Sequence, residues 1–165
     1  VDEPTVGLDP EERIRFRKLM EEIGRDRTIL LSTHIVADLG AACREISILD
    51  AGRTVFSGSP AELFRSSVGA VFELITSPEM ADKTEQNHEV VSRISTGDQV
   101  TLRAIASEDG LPPGATRVDE TTLEESYMAF MSARGRASVA RQDGELIDEP
   151  SVMELGELKI KAAVS

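Results

Sequence analysis

The order of two segments near the start of the chain constrains the fold most: an amphipathic helix followed by a short apolar strand. Asp9, Pro10 and Glu12 form a helix N-terminus, in which the Asp side chain accepts a backbone N–H and Pro occupies the first turn. Apolar residues recur at helical spacing until a Gly ends the helix, at Phe16, Leu19, Met20, Ile23 and Gly24. Residues 28–32 are nearly all apolar, as in a parallel strand buried on both faces. This order predicts an α/β fold.

The next segments complete a compact first region, predicted to span residues 1–68. Residues 35–43 place Val36, Leu39 and Cys43 on one face of a helix, and Cys43 is expected to be a buried helix residue. A strand over 45–50 leads into a turn at residues 50–53, and residues 54–57 close the hairpin. A second combination of a capping residue, a Pro and a Glu begins at Ser59 and predicts a helix of about two turns.

Residues 69–135 have the pattern of a small α+β appendage. β-like stretches occupy 70–76, 89–95 and 99–105, and a capping box of Thr122 and Glu125 begins a helix expected to end near Gly135. His88 lies in a polar stretch and is expected to be solvated. Residues 136–165 are polar and weakly periodic, which predicts a mostly disordered tail with a short helix at 151–162.

Charge and composition exclude several classes of function. The net charge of -12, without a long Lys/Arg cluster, disfavours nucleic acid as a partner. The single Cys, the lack of a basic and then apolar N-terminus and the absence of an uninterrupted run of about 18 apolar residues predict a cytoplasmic protein. The chain begins at Val1 rather than Met, which suggests an excerpt of a longer protein.

Three groups of residues carry chemistry. The sequence Val-Asp-Glu-Pro-Thr at residues 1–5, followed by Gly-Leu-Asp-Pro at 7–10, resembles the end of the Walker B strand and the D-loop of ABC ATPases. Ser-Thr-His at 32–34 follows at the end of the next predicted strand and resembles the H-loop of that family. Residues 48–63 are similar to the hairpin and helix that close its catalytic core. Singly, these motifs are more often surface turns or strand-end polar clusters; together, in this order, they favour the family.

The resemblance implies a role for each residue. Transfer of a phosphoryl group needs a carboxylate near Mg²⁺, a group that positions or deprotonates the attacking water, and a donor to the γ-phosphate. Asp2, Glu3 and His34 match these roles in that order, with ATP and Mg²⁺ as the implied cofactors. Asp9 matches the D-loop residue at the interface of two ATPase subunits, although it is also a good helix N-cap. Adjacent side chains of a strand point to opposite sides. Asp2 and Glu3 can therefore take these two roles only if the strand ends at Glu3 and the chain turns at Pro4.

The resemblance also implies the larger protein. The chain resembles the C-terminal part, from Walker B onward, of a P-loop NTPase core of RecA-like fold, in which the phosphate-binding loop, the glutamine loop and the signature motif lie upstream. Without them the chain is expected to be inactive alone. Residues 34–39 and 122–131 are similar to ATPases of ABC-2 type exporters, which implies a membrane permease and a second ATPase subunit, in a homodimer, as partners. Such a subunit would lie at the cytoplasmic face of the membrane. A non-catalytic regulatory partner of an intact ATPase and a soluble, non-transport ABC ATPase remain alternatives.

Overall fold

The computed structural model describes residues 1–39, 43–107, 110–135 and 160–164, which form α-helices and two antiparallel sheets. The helices are α1 (Pro10–Ile23), α2 (Pro60–Ser66), α3 (Pro78–Asn87) and α4 (Leu123–Ala133), with a short 3-10 helix at Val36–Asp38. The strands are β1 (Ile29–Thr33), β2 (Glu45–Asp50), β3 (Arg53–Gly58), β4 (Val71–Thr76), β5 (Val90–Thr96), β6 (Gln99–Ile105), β7 (Thr116–Arg117) and β8 (Ile160–Val164). None of the described helices is long and apolar enough to cross a membrane.

The described residues divide into two compact units, residues 1–62 together with β8, and residues 63–135. The first unit contains a sheet in the order β1-β8-β2-β3, and the second contains a sheet in the order β5-β6-β4-β7. The α/β content was predicted correctly. The assignment of residues 1–68 and 69–135 to separate domains stays a prediction.

Helix α1 begins and ends where the sequence predicts. The Asp9 side chain accepts the Glu12 backbone N–H at 2.8 Å, and the Glu12 side chain accepts the Asp9 N–H at 3.2 Å, which completes a capping box. Met20 is buried, whereas Leu19 is 48% exposed. The predicted apolar stripe is therefore only partly covered.

Strand β1 was expected to be a parallel strand buried on both faces, and the structure differs in its burial and at one of its two edges. It pairs antiparallel with β8, and Leu30 is 56% exposed while Leu31 and Thr33 are buried. Successive side chains of a strand point to opposite faces, so only the face that contains Leu31 and Thr33 is packed. The expectation of burial on both faces was wrong.

Two further predictions for the first unit concern the segment after β1 and the hairpin of β2 and β3. Val36, Leu39 and Cys43 are buried as expected, but the described backbone around them forms only the 3-10 turn, and residues 40–42 lie outside the described residues. The hairpin of β2 and β3 is confirmed. Its turn has positive φ at both central residues, 48° at Ala51 and 74° at Gly52, which is the backbone that lets a two-residue loop match the twist of the strands.

In the second unit, helices cover the two faces of the sheet. Ala81 of α3 packs with Val100 and Leu102 on one face, and Ala129 of α4 packs with Val71 and Ile105 on the other. Helix α4 has the predicted capping box, with the Thr122 N–H donating to Glu125 at 2.7 Å. The alternation of side chains along β4 and β6 produces these two layers.

Three details of the second unit and the tail correct the predictions. Helix α3 was not predicted, although Ser77 caps it through the Met80 N–H and a Pro follows. His88 is not simply solvated: its ring packs edge-on against Phe72 at 5.1 Å, and its Nδ1 atom is buried. Residues 160–164 form β8, where a tail and the end of a helix were predicted, because hydrogen bonds to the distant strands β1 and β2 fix their backbone. The rest of the predicted tail lies outside the described residues.

Candidate active site

The first three residues run beside β1 in the parallel direction. The Ser32 N–H donates to the Val1 carbonyl at 2.9 Å, the Glu3 N–H donates to the Ser32 carbonyl at 2.7 Å, and Asp2 forms a parallel bridge with Ser32. Parallel neighbours place their carboxyl ends at the same edge of a sheet. The sequence motifs at residues 2–3 and 32–34 therefore meet in space.

The chain turns sharply after Glu3, as the prediction about Pro4 required. Glu3 has a φ of 43°, in the left-handed region that non-glycine residues seldom occupy, and Gly7 in the same loop has a φ of 81°. A left-handed L-residue costs about 1–2 kcal/mol, so surrounding contacts must hold Glu3 in place. Its carboxylate supplies such contacts.

The Glu3 carboxylate is bound at both oxygens. Oε1 accepts the His34 backbone N–H at 2.9 Å and lies 2.9 Å from the His34 ring Nδ1. Oε2 accepts the Thr33 hydroxyl at 3.1 Å. The Thr33 hydroxyl oxygen in turn accepts the Ile35 N–H at 3.0 Å, so its own hydrogen is directed to Glu3. Glu3 is thus held in a fixed orientation by the residues at the end of β1.

These contacts favour the ionised form of Glu3. Burial opposes ionisation of the carboxylate, but the hydrogen bonds from His34 and Thr33 and the attraction of the His34 ring outweigh it, so the Glu3 pKa is lowered from its ordinary value. The carboxylate is therefore ionised at neutral pH. The His34 side chain is 61% exposed and the Glu3 side chain 25% exposed, so a solute can reach both groups.

Asp2 and Asp9 occupy different surroundings. The Ser32 hydroxyl donates to Asp2 Oδ1, and Asp2 is exposed. Asp9 caps α1 as described above and is also exposed, six residues beyond Glu3 in the chain. The structure thus brings Glu3 and His34 into contact and places Asp2, one residue before Glu3, beside Ser32, two residues before His34. Asp9 remains at the helix N-terminus.

Two contributors to this site were not singled out from the sequence as functional residues. Thr33 is fully buried and binds Glu3, and Ser32 binds Asp2. Both lie in the same tripeptide as His34, and this adjacency was the available signal. A hydroxyl at the end of a buried strand is an obvious donor to a carboxylate on the neighbouring strand.

The fit of this site to a metal ion depends on its exposed carboxylate, Asp2. Among the described residues, no group of three or more His, Cys, Asp or Glu side chains is arranged to enclose a metal ion. Mg²⁺ in nucleotide sites uses one or two carboxylates and takes its other ligands from water and phosphate. The exposed Asp2 carboxylate fits that requirement.

Comparison with known proteins gives the class to which these features point. No family model and no solved structure matches the chain. The chain is similar to the Nod factor export ATP-binding protein I of Cupriavidus metallidurans, 39% identical over 70 residues, which are 42% of this chain and 23% of that protein. The corresponding protein of Burkholderia thailandensis is 33% identical over 87 residues, 52% of this chain and 29% of that protein.

A relative with a different name supports the same class. The energy-coupling factor transporter ATP-binding protein EcfA2 of Streptococcus sanguinis is 42% identical over 66 residues, which are 39% of this chain and 24% of that protein. The curated homologues of the chain are therefore ABC transporter ATP-binding proteins, which confirms the predicted resemblance. The matched segments span only about a quarter of the length of these relatives.

Proposed function

We propose that this chain contributes the residues that catalyse hydrolysis to the nucleotide site of an ATP-hydrolysing subunit of an ABC exporter of the ABC-2 type. One observation carries the proposal: the Glu3 carboxylate is ionised, oriented by Thr33 and His34, and located at the ends of two parallel neighbours. The names of the relatives, which are ATP-binding proteins of transporters, support it. A core of the P-loop NTPase type, which the resemblance implies, is part of the proposal.

In this proposal, Glu3 positions the attacking water and accepts its proton. An ionised carboxylate held by hydrogen bonds to both oxygens has little freedom to rotate, which keeps its remaining lone pairs in a fixed direction. The site is partly open to solvent, so water reaches the carboxylate. The contacts from Thr33 and His34 thus pre-organise Glu3 for one geometry of attack.

The two ring nitrogens of His34 have different roles in this proposal. When Nδ1 donates to Glu3, the other ring nitrogen, Nε2, takes no part in that contact. Nε2 is an acceptor when the ring is neutral and a donor when it is protonated. The imidazolium form can therefore hold Glu3 and, from Nε2, donate to a phosphate oxygen at the same time.

Asp2 would hold Mg²⁺, which when bound supplies positive charge that neutralises phosphate oxygens. The Ser32 hydroxyl fixes one oxygen of Asp2. The 165 residues contain no Gly-x-x-x-x-Gly-Lys loop to bind phosphates. We therefore propose that this chain by itself does not hydrolyse ATP, and that the phosphate cradle is supplied by other sequence.

The remaining parts of the proposal concern partners. Asp9 lies at the contact between two such subunits, and energy from hydrolysis passes to a separate membrane permease at the cytoplasmic face of the membrane. The test is a longer protein that joins this chain to a phosphate-binding loop and a signature motif, reconstituted with its permease in vesicles. ATP-dependent transport that Glu3→Gln abolishes supports the proposal, whereas transport that survives the substitution contradicts it.

A further inference from the structure

One sheet face of the second unit is covered by α4 over only part of its length. Val71 and Ile105 pack against Ala129 of α4 at one end. Further along β6, Thr101 pairs directly with Ile75 of β4 and with Ile94 of β5. Directly paired residues in antiparallel strands have their side chains on the same face. Ile75, Thr101 and Ile94 therefore form one row across three strands.

This row is open to solvent. Ile75 is 59% exposed and Ile94 is 61% exposed, although both belong to regular strands. Strand β5 is an edge strand of the described sheet, so Ile94 also lies beside open backbone groups. The two aliphatic side chains therefore offer apolar area on one face of the sheet, on either side of Thr101.

A groove next to the row has an acidic rim. It encloses about 380 Å³, and Ile94, Thr101, Glu73, Glu124 and Glu125 are among the residues that line it. The single guanidinium of the groove, Arg103, is already paired with Glu73 at 3.3 Å and with Glu125 at 2.9 Å. The groove is thus lined by three carboxylates and one guanidinium, which gives it a negative charge.

We propose that the docking face, defined as Ile75, Ile94 and Thr101 with the rim carboxylates Glu73 and Glu124, binds a short protein segment in which apolar residues neighbour Lys or Arg. The isoleucines offer apolar area for the aliphatic residues of the segment. The rim complements its positive charge, which favours encounter and orientation. The same negative charge repels anionic lipid head groups and nucleic acid.

The docking face contains none of the residues assigned to nucleotide chemistry, so this proposal does not depend on ATP hydrolysis. Its failure would leave the proposed function standing. Conversely, a chain that takes no part in hydrolysis could still bind such a segment. The two ideas can therefore be tested separately.

The test uses the whole chain and a fluorescently labelled peptide of alternating Leu and Lys, followed by fluorescence anisotropy at physiological salt. A peptide with Glu in place of Lys has the same apolar content and reports the contribution of charge. We expect the Lys peptide to bind and the Glu peptide to bind at least about tenfold more weakly. Equal binding of the two peptides would overturn the proposal.

Matched variants locate the binding. Ile94→Ser and Glu124→Lys should each weaken binding of the Lys peptide about tenfold. Met80→Ser changes an apolar side chain, 46% exposed, on α3, which covers the other face of the same sheet, and Glu22→Lys changes an exposed charge on α1; both should bind as the wild type does. Thermal unfolding curves check that every variant is folded. Equal weakening by the control variants, or no weakening by Ile94→Ser, would contradict the proposal.

Discussion

Glu3 Oε1 lies within 2.9 Å of two nitrogens of His34, the backbone N–H and the ring Nδ1. The two residues are 31 positions apart, and the contact exists because residues 1–3 pair in parallel with β1. It joins the two sequence motifs to which the resemblance gives chemical roles. Its consequences for ionisation, stability and hydrolysis are measurable one at a time.

The lowered pKa of Glu3 predicts a dependence of stability on pH. A carboxyl group with a folded pKa below its ordinary value of 4.5 contributes stability that is fully present above that value and is lost as the pH falls through the lower, folded pKa. Glu3→Gln cannot titrate and should lose less stability than the wild type over this acidic range. The measurement is urea unfolding at neutral and acidic pH. Glu22→Gln, at an exposed position on α1, is the control, and identical acid sensitivity of wild type and Glu3→Gln would contradict the assigned shift.

The structure gives Asp9 a measurable task as a helix cap. Asp9→Ala should reduce the free energy of unfolding by about 1 kcal/mol, because the Glu12 N–H loses its acceptor, whereas Asp9→Asn should keep most of the stability. The proposed interface role predicts a second effect in the longer protein, where Asp9→Asn should weaken ATP-dependent dimerisation. Chemical denaturation and sedimentation velocity measure the two effects. Wild-type dimerisation by Asp9→Asn would leave Asp9 as a cap only.

Exposed aliphatic side chains in the first unit predict self-association of the 165-residue chain. Leu30 on β1 is 56% exposed and Ile14 on α1 is 48% exposed. Both lie in elements whose other side is packed, so these side chains present apolar area to solvent. Sedimentation velocity should show oligomers whose fraction grows with concentration. The double variant Leu30→Thr and Ile14→Gln should reduce that fraction, and Met80→Thr on α3 should not; a wild type that stays monomeric at all concentrations would refute the expectation.

Local signals in the sequence predicted some elements, and distant contacts decided others. Asp9 with Glu12 and Thr122 with Glu125 mark helix starts through hydrogen bonds within four residues, which sequence spacing reveals directly. Helix α3 was missed because its exposed, polar sequence hides the short buried stripe of Ala81 and Thr84.

Contacts between distant parts of the chain explain the remaining differences. The pairing of β8 with β1 joins residues more than a hundred positions apart, and no local pattern encodes it. At the candidate site the motifs singled out Glu3 and His34, which the structure brings into contact, and their chemical roles stay a prediction. The bond from Thr33 to Glu3, which fixes the carboxylate, spans 30 positions and emerged only from the fold.

The chain alone should show no ATP hydrolysis above background. Asp2, Glu3 and His34 have no phosphate cradle in the 165 residues, and without one the substrate is not held against them. The measurement is phosphate release from Mg-ATP by highly purified chain, with Glu3→Gln as the matched control for contaminating enzymes. Steady release by the wild type that Glu3→Gln abolishes would contradict this prediction.

The most direct test of the central claim is single-turnover hydrolysis, measured beside nucleotide affinity, in a longer protein that supplies the phosphate-binding loop and signature motif. Glu3→Gln keeps the shape of the side chain but removes the acceptor charge, so ATP should bind with near wild-type affinity and remain trapped. His34→Ala should slow hydrolysis about a hundredfold, equivalent to losing a preorganised donor worth about 3 kcal/mol, and should spare binding. Near wild-type turnover by Glu3→Gln would show that Glu3 is only a structural carboxylate at the turn, and the assignment of the site would fall with it.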